Sequence, residues 1–198
     1  MEVFMKLEKM RFMYTNDITA VDKKQYEEHL KLYEGYINKI NEIDEILLKN
    51  PEYEGANATY SHFRGLKRGE TFALDGVILH ELYFENFGGM MREPEILTLK
   101  SLAESFPSFE SWRDDFVATA RASRGWAILV FDQRSRRFRN ISLDAHDVGN
   151  VTLSFPILVL DVYEHAYFLQ YGTDKNQYID RFMDNINWGV VNRRMGRV

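Results

Sequence analysis

Apolar positions recur at helical spacing through the first half of the chain and fall into short runs in the second. Between Lys23 and Lys49, Leu30, Tyr33, Ile37, Ile40, Ile43 and Leu47 follow one another at intervals of three and four. That is the period of one buried helix face, and the pattern predicts a long amphipathic helix. Asn50-Pro51 is its stop signal, because a proline restricts the residue before it to extended backbone. A second helical pattern runs from about Thr59 to Phe87 through Phe63, Leu66, Phe72, Leu74, Ile78, Leu82 and Phe84, with Gly88-Gly89 as its C-cap. A short connection between two such helices predicts an antiparallel hairpin. Residues 1 to about 20 carry no periodicity, only a turn signal at Thr15-Asn16-Asp17.

After a loop around Met90 to Pro94 the character changes. Two short helical patterns, Glu95 to Glu104 and Ser108 to Ala122, precede three strand-like runs: Trp126 to Phe131, Phe138 to Leu143 and Phe155 to Leu160. Ser108 is placed to cap the second of these helices. Helices resume from Asp161. The expected fold is α+β, with an N-terminal antiparallel helical hairpin over residues 1–90. A C-terminal domain of a three-stranded antiparallel sheet and helices follows over residues 91–198.

Composition narrows the classes. In 198 residues, 45% hydrophobic and 14% aromatic content are ample for a packed core. No run approaches the roughly 18 apolar residues of a membrane span. Met1 to Lys9 mixes acid and base, unlike a secretory signal. Without cysteine there is no disulfide, thiolate metal site or thiol nucleophile, which is compatible with a cytoplasmic protein. A net charge of −5 argues against wholesale nucleic-acid binding. Arg134, Arg136, Arg137 and Arg139 form one basic cluster between two strand-like runs, read as a solvated hairpin turn. There is no G-x-S-x-G and no phosphate-cradling glycine loop.

The chemistry concentrates in Asp161-Val162-Tyr163-Glu164-His165-Ala166-Tyr167. An Asp and a His four residues apart follow the apolar run Phe155 to Leu160. The bland reading is an i,i+4 surface pair, but the apolar run argues for burial. A buried carboxylate and imidazole need partners, and a metal ion satisfies both.

This segment resembles the C-terminal metal motif D-x-[WY]-E-H-[AS]-[FY] of the iron/manganese superoxide dismutases. Leu169-Gln170-Tyr171, Tyr178 and Asn185-Ile186-Asn187-Trp188 resemble that family's closing helices and its I-N-W signature. Gly76 to Phe84 resembles the helix carrying a second histidine ligand, here His80, and Leu102 to Phe109 the segment that follows. The resemblance implies a homodimeric, iron- or manganese-dependent enzyme acting on superoxide. Its metal would be held by His80, Asp161, His165 and a helix-one residue. Tyr36 and Trp126 would shape the site together with Tyr163, and Glu164 would orient His165 of a second copy.

The chain departs from the family pattern in three places. Helix one of the family carries H-x-x-x-[HY]-x-x-x-Y. Aligned on Tyr36, that pattern puts Glu28 at the ligand position and His29 one residue out of register. Glu28 then needs no distortion of the helix, whereas His29 would need a bulge; the third alternative is three protein ligands and a water. The family's water-binding Gln comes either from the second-histidine helix or from the segment ahead of Gly125-Trp126, where this chain has Gly76 and Ala122. A His/Tyr pair that meets across the dimer becomes Leu32 and Phe168. These departures imply a mistuned, weak dismutase. The alternatives are a metal protein of the same fold with another redox role, or a non-catalytic interaction protein.

Overall fold

A computed structural model describes residues 6–49 and 51–198. Residues 1–5 and Asn50 lie outside the described residues, and with them part of the N-terminal reading and the first half of the Asn50-Pro51 stop.

The first helix, α1, runs without interruption from Lys23 to Lys49. Asp22 starts it by accepting the Gln25 backbone N–H at 2.7 Å, which satisfies one of the donors a helix start leaves free. Its buried face is Tyr26, His29, Tyr33, Ile37, Ile40 and Ile43, so two polar-tipped rings and a histidine share the stripe that periodicity assigns to the core. The second helix, α2, spans His62–Glu85, with the Ser61 hydroxyl accepting from Arg64 N–H at 3.1 Å. It begins and ends slightly inside the Thr59 to Phe87 expected from the pattern. Its C-cap is Asn86 rather than Gly88-Gly89, whose positive φ values of 69° and 80° instead turn the chain after the helix. The two helices pack as a hairpin.

Helices α3 (Ile96–Ala103) and α4 (Phe109–Ala122) lead into an antiparallel sheet of β1 (Trp126–Asp132), β2 (Arg137–Leu143) and β3 (Ser154–Asp161), ordered β2-β1-β3. The α+β expectation, hairpin followed by three-stranded antiparallel sheet and helices, holds. β1 is the central strand and is buried on both faces up to Phe131, which is why it reads as a continuous apolar run rather than an alternation. α4 lies on β1 and β2, and α2 and the last helix, Trp188–Met195, lie on β3. Asp161 is the last residue of β3, not the first of a helix. A turn of 3-10 helix over Glu164–Ala166 and a short α5 (Phe168–Tyr171) follow, then α6 (Lys175–Met183) and α7 (Trp188–Met195). The arginine cluster lies at and beside the β1–β2 hairpin turn, with Arg139 on Asp132 at 3.0 Å and Arg136 over the Phe131 ring.

One buried cation joins the layers. Arg194 of α7, 4% exposed, donates to Asn86 Oδ1 (2.8 Å), the carbonyls of Ile157 (2.9 Å) and Leu82 (3.1 Å), and Glu85 Oε2 (2.7 Å). Asn86 Nδ2 in turn donates to the Val159 carbonyl at 2.7 Å. The end of α2, the middle of β3 and α7 are thereby held in one register. Removing a buried charge that satisfies several acceptors strands them. Arg194→Ala should therefore lower unfolding free energy by about 3 kcal/mol, measured by denaturant titration; a loss below about 1 kcal/mol would show that the clamp contributes little.

Candidate metal centre

His29, His80, Asp161 and His165 each offer one donor atom, and these atoms lie within 4.8 Å of one another. Each comes from a different element: α1, α2, the end of β3 and the 3-10 turn after it. The sheet register explains the carboxylate. Trp126 pairs with Asp161 across β1 and β3, so the apolar run delivers Asp161 to the sheet edge under the hairpin. Asp161 Oδ1 accepts the Tyr163 N–H at 2.9 Å, and its own carbonyl accepts the Tyr178 hydroxyl at 2.8 Å. Gln25 of α1 donates to the His165 carbonyl at 2.6 Å and accepts from Leu169 N–H at 3.1 Å. That carboxamide fixes the 3-10 turn against α1.

A hydrogen bond fixes the protonation of one donor. His80 Nδ1 lies 2.6 Å from the Gly76 carbonyl, which can only accept, so Nδ1 carries the proton and Nε2 presents a lone pair. That lone pair lies 3.7 Å from Asp161 Oδ2. Burial holds the His80 imidazolium down to about 3, and burial likewise lowers His29 despite the nearby Asp161. The Nε2 atoms of both are buried and have no hydrogen-bond partner. Burial works against ionisation of Asp161, but His165 and His29 outweigh it and keep the carboxyl far below its ordinary range. His165 Nε2 approaches Asp161 Oδ2 at 3.1 Å. The His80 lone pair, buried and directed at a carboxylate, is repelled unless a cation lies between them. Three imidazoles and one carboxylate are a donor set that suits iron or manganese, so the residues fit such an ion.

The helix-one position is a correction to the sequence expectation. Glu28 does not join the cluster; its side chain is 45% exposed and pairs with Lys31 at 2.6 Å. His29 is 2% exposed with Nε2 3.2 Å from Asp161 Oδ2, and no bulge was needed to put it there, since α1 is regular throughout. Helix geometry gives the reason. Seven residues turn a helix through about 700°, within about 20° of two full turns, whereas eight overshoot by about 80°. His29 and Tyr36 therefore share a face at a spacing of seven. Counting eight back from Tyr36 leads to the exposed side.

The two positions of the family's water-binding Gln are as the sequence has them. Neither Gly76 nor Ala122 supplies a donor, and a Cβ at Gly76 would lie 3.0 Å from the Tyr36 ring, so no longer side chain fits there without moving Tyr36. His146, in the loop between β2 and β3 and not among the residues expected from the sequence, is a neighbour of Tyr36 and Trp126. Trp126 Nε1–H donates to His146 Nδ1 at 2.9 Å, and His146 Nε2 lies 2.8 Å from the Tyr36 hydroxyl. An indole only donates, so Nδ1 is bare, Nε2 carries the proton, and Tyr36 oxygen is the acceptor. The Tyr36 O–H is left free to donate elsewhere. Burial keeps His146 neutral, lowering it to about 4, and burial together with Asp161 pushes Tyr36 up to about 12. The Tyr36 ring lies 5.3 Å from His80, Trp126 5.1 Å from His80, and Tyr163 stacks on His165 at 5.1 Å. Glu164 is exposed. One signal could have found His146. β1–β2 pairing sets Leu143 opposite Trp126, so a histidine three residues beyond Leu143 falls close to the indole.

A helical hairpin closed on an antiparallel sheet around buried histidines and one carboxylate defines a candidate mononuclear metal centre of the histidine–carboxylate class. Comparison with known proteins carries this further. The family model for iron/manganese superoxide dismutases, C-terminal domain, matches residues 94–194. The chain is 40% identical over 193 residues to a superoxide dismutase (Fe) of Aquifex pyrophilus, covering 96% of this chain and 91% of that one. It is 39% identical over 193 residues to a superoxide dismutase (Fe) of Aquifex aeolicus, with the same coverage of both chains. It is 37% identical to a superoxide dismutase (Mn) of Haloferax volcanii over 159 residues, 79% of this chain and 77% of that one. The chain belongs to the iron/manganese superoxide dismutase family.

Two substitutions separate the alternatives for helix one. His29→Ala should release the metal, as elemental analysis after dialysis would read it, while Glu28→Ala should retain the wild-type content. The reverse pattern would return the ligand to position 28.

Proposed function

We propose that this chain is an iron- or manganese-dependent superoxide dismutase whose metal is held by His29, His80, Asp161 and His165. The observation that carries the reading is the convergence of those donors beneath the Trp126–His146–Tyr36 hydrogen-bond chain. In the reaction two superoxide ions and two protons become one oxygen molecule and one hydrogen peroxide. An iron or manganese ion bound there supplies the one-electron exchange between two oxidation states.

The chain's own residues supply the rest. Neutral imidazoles and a single carboxylate leave the site with one formal negative charge, which a divalent or trivalent cation exceeds, so an anion is still attracted. Tyr36, its oxygen already accepting from His146, keeps a hydroxyl proton that an incoming anion or a water can accept. Trp126 fixes the His146 tautomer and so the direction of that proton. His146 has its ordinary proton affinity suppressed and acts here as a fixed dipole, not as an acid. Such preorganised donors would lower the cost of negative charge developing on the substrate.

The expectation of a weak enzyme rested on Glu28 as ligand, on the missing Gln and on the Leu32/Phe168 pair. On the present reading His29 takes the place of Glu28, and His146, a neutral donor to Tyr36, supplies a donor where the Gln is missing. Leu32 and Phe168 remain, 40% and 48% exposed. Leu169, next to Phe168, is likewise exposed at 58%, and a second copy of the chain covering these apolar side chains is part of the proposal. In such a homodimer Glu164 of one protomer meets His165 of its partner.

Metal-loaded protein should consume superoxide catalytically. His146→Ala should cut turnover by about tenfold to a hundredfold with metal content unchanged, and His146→Gln, which can also accept from Trp126 and donate to Tyr36, should recover most of it. Loaded protein without superoxide turnover would overturn the assignment. For the assembly, Glu164→Lys should shift sedimentation toward monomer; an unchanged dimer, or a wild-type monomer, would remove Glu164 from the interface.

A further inference from the structure

His146 owes its place to a loop, residues 144–153, which has little structure of its own. Within the loop one isolated bridge joins Ala145 and Val148. The ring is held at both nitrogens by Trp126 and Tyr36, but those bonds exist only if the backbone at 146 lies at the right depth. We infer that Asn150 is the positioning residue that sets this depth, by tying the His146 backbone to α2. The inference rests on the part given to His146 above.

Both hydrogens of one carboxamide nitrogen are used. Asn150 Nδ2 donates to the His146 carbonyl at 2.9 Å and to Asp75 Oδ2 at 3.0 Å. Asp75 lies on α2 directly before Gly76, whose carbonyl orients His80. A single side chain therefore references the His146 backbone to the helix that also carries a metal donor. The loop is shaped to bring Asn150 back on to residue 146. Gly149 has φ of +108°, and a Cβ there would lie 2.7 Å from the Ser142 carbonyl oxygen, so only glycine makes the reversal. One turn before Asp75, Thr71 Oγ1 lies 3.3 Å from Asp147 Oδ2, and Phe72 packs on the His146 ring at 4.5 Å. These contacts hold the loop against α2. Only the Asn150 bond lands on the backbone of the residue whose ring meets Tyr36.

Chemistry limits the replacements. Asn150→Asp would bring a carboxylate against both the Asp75 carboxylate and the His146 carbonyl. Asp75→Asn keeps an acceptor oxygen for Asn150, and Asp75→Leu does not.

The test reads His146 without relying on turnover. The chain has three tryptophans, so protein loaded with gallium(III), a diamagnetic trivalent ion, gives three indole N–H resonances. Only that of Trp126 reports the bond to His146. In Asn150→Ala and in Asp75→Leu the Trp126 resonance should move upfield and exchange with water roughly tenfold faster. The Trp112 and Trp188 resonances should stay in place and certify the fold, and Asp75→Asn should match wild type. In the iron- or manganese-loaded protein the same two damaging variants should lose about tenfold in superoxide turnover at full metal content. An unmoved Trp126 resonance in folded Asn150→Ala, or in Asp75→Leu should the first variant not fold, overturns the inference. A displaced resonance with undiminished turnover supports the tie and instead overturns the part given to His146 in the reaction.

Discussion

Three imidazoles gathered on one buried carboxylate are the constraint around which this molecule is arranged. His80 has no freedom in the matter, because the Gly76 carbonyl claims its Nδ1 proton. Asp161 is fully buried at the end of the sheet, and His29 closes from the opposite helix. Without a cation the His80 lone pair faces the carboxylate with nothing between them. With one, each becomes a ligand, and the electrostatic cost of burying them is offset by metal–ligand bonding. Much of the surrounding structure serves to keep them in place: the Gln25 carboxamide under the His165 turn, the Tyr178 hydroxyl on the Asp161 carbonyl, and Arg194 locking α2 to β3.

Around that centre runs a hydrogen-bond chain with a fixed direction. Its polarity is set at one end by a side chain that can only donate, Trp126, and it passes through a neutral histidine to a phenol. Glutamine could perform the same relay, since it too has one acceptor and one donor end. A histidine with unsuppressed proton affinity could not, because protonation of Nδ1 would break the bond from Trp126. Burial of His146 is thus a requirement of the chain and not incidental to packing.

The fold was largely legible in the sequence, and the reasons are local. α1 was read to its observed ends because its apolar spacing is regular. The strands were read as short apolar runs bounded by turn signals, and the Asp161 and His165 pair was marked by the burial that the preceding run implied. What escaped depended on register and on long-range pairing. Family spacing led to Glu28, while helical periodicity, applied to His29 and Tyr36 themselves, would have led to His29. His146 was not visible locally at all. It lies in a polar loop with no periodicity, and its partners are 20 and 110 residues away. Only the antiparallel register that brings Leu143 opposite Trp126 reveals it.

The central claim is that one iron or manganese ion sits among His29, His80, Asp161 and His165. Anomalous diffraction from crystals of the metal-loaded protein, recorded on either side of the iron and manganese absorption edges, tests it most directly. The account predicts a single strong anomalous peak bonded to the Nε2 atoms of the three histidines and to a carboxylate oxygen of Asp161, with the Glu28 side chain remaining in solvent. A peak bonded to Glu28, or no peak in this cavity in crystals of fully loaded protein, would contradict it.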